Sequence, residues 1–217
     1  MKHMPRPRSD PVVRFVKPVL FTACLLPLAL LVWRVADGGT GPNPVEAITH
    51  DTGDWALRLL LVTLAVTPLR RLTGWRWLVR LRRMLGLYAF FYAALHFTTY
   101  LWLEQFFDWQ AIVADLVKRP YITVGFAALV LMVPLAVTST REWQRRLGPR
   151  WKQLHRLVYA IGVLGVLHYV WLVKADLLEP AIYAGVLAVL LAARLPRGGR
   201  RARLVSSNDP PVASESG

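Results

Sequence analysis

The chain has 217 residues, of which 55% are hydrophobic and only 18% charged, with a mean hydropathy of +0.37. Its formal net charge of +14 would suit a nucleic-acid binder if the cations lined one folded, soluble face. Instead Lys and Arg gather between long apolar runs, which excludes that class and predicts a helical membrane protein, and the lone Cys24 excludes a disulfide framework or a Cys-x-x-Cys metal site.

Residues 1–17 are basic and Pro-containing (Lys2, Arg6, Arg8, Arg14, Lys17) and read as a cytoplasmic N-terminus. Pro18–Val35 is the first apolar run. It is long for a signal peptide and shows no small-x-small cleavage site, so it reads as an uncleaved anchor. A loop rich in Gly, Asp and Pro is expected over 37–54, with a short helix at Pro44–His50. Further spans follow at Trp55–Pro68, Met84–Leu103, Tyr121–Ser139, Leu154–Val173 and Pro180–Leu195. Runs of about 18–20 apolar residues suffice to cross a hydrocarbon core of ~30 Å. Pro134 should kink the fourth span, which neighbouring helices accommodate. From Pro196 the composition turns to Arg and Gly, then Ser, Asn and Pro, and residues 196–217 read as a disordered cytoplasmic tail. The expectation is an all-α bundle of about six transmembrane helices.

Charge sets the orientation. All but five of the 27 Lys and Arg lie in the N-terminus, the loops 70–83 and 140–156, and the tail. The exceptions are Arg34, Arg58, Lys118, Arg119 and Lys174, and nine of the 13 acidic residues lie on their side. Both termini should therefore be cytoplasmic. No GxGxxG or GxxxxGK[ST] stands in a strand–helix context, so no nucleotide-binding domain is expected.

Of the five histidines, His3 and His50 fall in polar segments where solvent is the simplest partner. His96, His155 and His168 lie in or at the ends of apolar spans, where ionisable groups are costly and mark relays, pathways or cofactors. His96 stands 12 residues past Met84 and His168 stands 13 past His155. At ~1.5 Å per residue both lie ~18–20 Å from the same boundary. Two neutral imidazoles at one level on separate helices can clamp an iron from both faces, as in a low-spin b-type haem. Ala89, Tyr92, Ala93, Thr99 and Tyr100 share the His96 face, and Gly162 and Gly165 remove bulk near His168; such small residues also serve plain helix packing. His155 sits at the cytoplasmic boundary, where it could ligate a second haem, accept a proton from a quinol, or meet headgroups.

Arg82-Arg-Met-Leu-Gly-Leu-Tyr-Ala-Phe-Phe-Tyr-Ala-Ala-Leu-His96 resembles the third-helix signature of the MsrQ (YedZ) family, part of the ferric-reductase-like transmembrane group. Lys118-Arg-Pro-Tyr-Ile-Thr-Val-Gly, Pro134-Leu-Ala-Val-Thr-Ser-Thr-Arg and the segment Trp143–Tyr159 extend the resemblance over roughly residues 10–195. It implies a multi-pass protein of the bacterial inner membrane with residues 18–195 as its haem domain. It also implies haem b held by His96, His155 and His168, and FMN as a second cofactor. Electrons would pass from the quinone pool to MsrP, a periplasmic molybdopterin enzyme that reduces methionine sulfoxide in oxidised envelope proteins. The chain would then be the redox subunit rather than the catalytic one. Ferric reductases carry another histidine 13–14 residues before the one on the third helix; Arg83 and Arg82 stand there, which leaves open one haem or two.

No fingerprint marks the flavin site, and the cations of the basic loop, Arg145, Arg146, Arg150 and Lys152, are its candidates. The partner should dock on loops 37–54, 104–120 and 174–179. The competing readings are a transporter or proton channel with a histidine relay, for which no inverted repeat is visible, and a haem-handling or assembly protein.

Overall fold

A computed structural model describes residues 11–173 and 177–194, and every described element is helical. The basic residues before Pro11 and the expected tail at 196–217 lie outside it. α1 (Pro11–Ala36), α2 (Pro44–Thr73) and α3 (Arg82–Thr99) are followed by the short α4 (Trp109–Lys118) and by α5 (Pro120–Val137). Two brief helices, α6 (Arg141–Leu147) and α7 (Pro149–Leu154), lead into α8 (Leu157–Leu172) and α9 (Leu178–Ala192). Five stretches are long and apolar enough to cross a membrane: α1, α2, α3 with its extension to Glu104, α5, and α7–α8. The sixth expected span, α9, is apolar but has only 15 residues. The chain is thus an all-α, multi-pass membrane protein.

α2 corrects the reading of a loop over 37–54, for the helix starts at Pro44 and runs unbroken to Thr73. The start is set chemically. The Asn43 side chain accepts from the Glu46 backbone N–H at 3.3 Å and donates to the Glu46 carboxylate at 3.0 Å, with Pro44 at the first helical position. Gly74, in the left-handed region at φ +75°, ends the helix and donates to Arg70 O. The polar residues that suggested a loop are paired on the helix surface: Asp51 with Arg34 at 2.8 Å, Asp54 with Arg58 at 3.1 Å.

α2 is the hub of the bundle, packing on α1, α3, α8 and α9. Leu57, Leu60, Leu61 and Leu64 are buried there against Ala89 and Tyr92 of α3 and Ile161 of α8. α1 contains Pro27, and beside it the Tyr92 hydroxyl reaches in from α3, accepting from Leu28 N–H at 3.2 Å and donating to Cys24 O at 2.8 Å. α5 continues through Pro134 to Val137. At the far end Arg194 donates to the Tyr159 hydroxyl at 2.7 Å and to Leu64 O, fastening the end of α9 to α8 and α2. The outward faces of α1, α5 and α9 expose Phe15, Leu30, Val130, Val133, Ile182 and Val189. An apolar girdle of that kind is costly in water and at ease in lipid.

Candidate functional site

His96 stands near the end of the α3–Glu104 run and His168 one turn before the end of α8. Both therefore lie at the end of the bundle where α2 and α5 begin. Their ring centroids are 6.1 Å apart and their planes cross at 73°. Each ring is tethered through Nδ1 to a backbone carbonyl of a neighbouring helix, His96 to Thr49 O at 2.9 Å and His168 to Tyr121 O at 2.7 Å. A carbonyl can only accept, so Nδ1 carries the proton and Nε2, across the ring, keeps a bare lone pair. Tethering of this kind fixes the tautomer and orientation of a metal-binding imidazole.

The tethers need unusually close approach, and glycine supplies it. A Cβ at Gly125 would stand 2.7 Å from His168 Nδ1, and one at Gly53 would stand 3.1 Å from His96 Nδ1. Carbonyl, glycine and histidine recur in register. Thr49, Gly53 and His96 become Tyr121, Gly125 and His168 on adding 72 to each number, and the same offset carries Arg83 onto His155. This repeat is the signal that sequence reading passed over, because each glycine alone looks like ordinary helix packing.

Both histidines line a cavity of about 460 Å³ walled by α2, α3, α5 and α8, with Leu57, Ala93, Ala128 and Gly165 among its apolar lining. Ala93, Tyr100 and Gly165 line it as expected. Ala89 and Tyr92 instead pack in the core, Thr99 donates to His96 O at 2.7 Å, and Gly162 admits Leu64 and Leu187. The cavity mouth is polar, with Glu46, His50, Glu104 and Arg119. Glu104 accepts from the Thr49 hydroxyl at 2.9 Å, and Arg119 pairs with Asp115 at 3.1 Å. The Arg119 pKa is raised, first by its hydrogen bond with Tyr121 and then by the Asp115 carboxylate, so it is a fixed positive charge at the rim.

His155 is not brought to this cavity. It caps α7 at the other end of the bundle, its ring stacked on Trp151 at 4.0 Å and its Nδ1 against Trp151 O at 3.2 Å.

The donor set can be tested against a metal cofactor. An imidazole–metal bond is about 2 Å long, so an ion bonded to both rings from opposite sides sets their centroids roughly 6 Å apart. Among the described residues no three His, Cys, Asp or Glu are placed to share one ion. The protein thus offers two nitrogens, and a six-coordinate metal here would bring its remaining ligands with it. The residues fit haem.

Fold and site together define a multi-pass membrane protein with a cofactor cavity clamped between two pairs of helices. The family model described as "Ferric reductase like transmembrane component" matches residues 52–166. A protein of Rhodospirillum rubrum is 58% identical over 191 residues, covering 88% of this chain and 92% of its own length. One of Herminiimonas arsenicoxydans is 54% identical over 190 residues (86% and 87%), and one of Xanthomonas campestris pv. campestris 54% over 204 (90% and 94%). All three are named "Protein-methionine-sulfoxide reductase heme-binding subunit MsrQ". No solved structure matches. The chain belongs to the MsrQ family of ferric-reductase-like transmembrane proteins.

Proposed function

We propose that this chain is the haem-carrying electron-transfer subunit of a protein-methionine-sulfoxide reductase in the bacterial inner membrane, with both termini cytoplasmic. The observation that carries the reading is the pair of carbonyl-tethered imidazoles lining one cavity. Haem b, when bound there, supplies one-electron chemistry between ferric and ferrous iron. His96 and His168 hold it, and their Nδ1–H···O=C bonds make both ligands better donors. The two histidines would hold the group from two helices, and haem held by two protein nitrogens would supply electron transfer rather than oxygen activation. Leu57, Ala128 and their neighbours keep water from the clamp.

Electrons enter from quinol and leave at the end carrying the cavity mouth, which the charge distribution turns toward the periplasm. The acceptor is a periplasmic molybdopterin subunit of MsrP type, docked on 37–54, 104–120 and 174–179; residues 174–176 lie outside the described residues. FMN, the second cofactor the resemblance implies, would place its phosphate on the basic loop, where Arg145, Arg150 and Lys152 are better suited than Arg146, which pairs with Glu142 at 2.6 Å.

The purified chain should show a dithionite-reduced b-type spectrum. His96→Ala and His168→Ala should each abolish the low-spin signal and lower the haem-to-protein ratio. A colourless protein, or full haem retention in both variants, would return the histidines to a transport relay.

A further inference from the structure

Five polar side chains stand beside the imidazole clamp without belonging to it. Arg58 of α2 donates through Nη2 to the Asp54 carboxylate at 3.1 Å and through Nε to the Tyr183 hydroxyl of α9 at 2.8 Å. Tyr169 of α8 donates to Glu179 of α9 at 2.8 Å, and its ring meets that of Tyr183 edge-on at 5.5 Å. Arg58 is close to the middle of α2. Ionisable groups at such depth are costly and mark functional sites.

The cluster faces two ways. Asp54 and Tyr169 line the cofactor cavity, and Asp54 follows Gly53, against which the His96 ring rests. On the other side Arg58 and Asp54 keep 40% and 26% of their side-chain surface exposed. Leu178 and Ile182 of α9 expose apolar surface to lipid in the same part of the helix. The Tyr183 hydroxyl accepts from Arg58, and its own proton has no acceptor among the described residues. A molecule entering from lipid would therefore meet phenol and guanidinium donors, two carboxylates, and the wall of the cofactor cavity.

We propose that this cluster binds and deprotonates the headgroup of a membrane hydroquinone. The proposal rests on the reading above that a quinol is the electron donor. Oxidation of a hydroquinone to a quinone breaks two O–H bonds and releases two protons and two electrons. Tyr183 and Arg58 hydrogen-bond the ring oxygens. Asp54 and Glu179 take the protons, and Glu179, exposed in the first turn of α9, hands them to the outer solution. The two electrons would leave one at a time through haem held in the adjoining cavity, the second following once the first has passed on to the partner subunit. A donor bound at His155 would lie ~20 Å along α8 from the clamp, a distance over which electron tunnelling is far slower.

The test uses the full-length, haem-loaded protein in lipid nanodiscs, with a photoreactive azidoquinone as binding probe and decylubiquinol as reductant. The label should map to α2 and α9 peptides and be displaced by unlabelled quinone. Tyr183→Phe and Glu179→Gln should keep their haem and their full reduction by dithionite. They should lose labelling and slow quinol-driven haem reduction by roughly a hundredfold, the usual contribution of general-base catalysis. Arg58→Gln, outside the cavity lining, should behave likewise. Labelling confined to other segments, or wild-type reduction rates in all three variants, would overturn the site while leaving the donor reading intact. Haem loss in all three would make the cluster a staple for α9 and also overturn it. If decylubiquinol fails to reduce the wild-type haem that dithionite reduces, the donor reading falls and takes the site with it.

Discussion

Gly125 is the tightest point of the candidate site, because α5 has room for the His168 ring only where a side chain is missing. Gly125→Ala should push that ring off its tether to Tyr121 O and weaken haem binding roughly 10–100-fold, the usual loss when a ligand's supporting contact goes. Gly53→Ala, with more clearance at His96, should weaken it less; haem titration into the two variants checks the order. The crossed ring planes carry a spectroscopic consequence. Near-perpendicular axial imidazoles give ferric iron a highly anisotropic low-spin signal, and low-temperature EPR of the oxidised protein should show it. The histidines were legible from sequence because ionisable residues inside apolar runs are conspicuous. The glycines and the carbonyls of Thr49 and Tyr121 were not, since backbone atoms have no sequence signature and a helical glycine reads as packing.

At the scale of elements, two tyrosine hydroxyls of α3 hold α1, Tyr88 donating to Phe21 O at 3.2 Å and Tyr92 to Cys24 O at 2.8 Å. Tyr92, 1% exposed, bridges the Leu28 N–H and Cys24 O of α1 from α3. Tyr92→Phe should leave Leu28 N–H without its partner and destabilise the protein by about 1–3 kcal/mol. An unfolding titration in detergent reads this directly. The spans were largely legible because hydropathy over about 20 residues integrates away local exceptions. The start of α2 was not. Asp51, Gly53 and Asp54 look like a loop one residue at a time, and become helical only once Arg34 on α1 and Arg58 one turn on supply the counter-charges. At 30 residues α2 is ~45 Å long, more than the ~30 Å hydrocarbon core, so its first turns, with Glu46 and Asp51, rise into the polar zone.

Across the whole molecule, chemistry is concentrated at one end. His96 and His168 meet there, while His155 lies at the other, stacked on Trp151. His155→Ala should leave the haem content and low-spin spectrum of the cavity unchanged, in contrast to His168→Ala. Pyridine-haemochrome stoichiometry of the two variants separates them. Sequence spacing put His96 and His168 at one level and His155 at the opposite boundary; it could not show the break between α7 and α8 at His155, which interrupts the helical phase linking it to His168. The apolar surfaces of α1, α5 and α9 are the part read most directly, since lipid imposes on them no demand beyond composition.

The 72-residue register divides the clamp between two like halves. α2 with α3 and α5 with α8 are two helical hairpins, each contributing one tether, one glycine and one imidazole, with all four chain ends that matter at the same end of the bundle. Two such units related by an axis along the membrane normal form a direct repeat. Each half brings one imidazole to the other, so a cofactor held there would lie on the seam and fasten the two hairpins to each other. Arg83 stands in register with His155, so the halves differ away from the shared clamp, at the other end of the bundle.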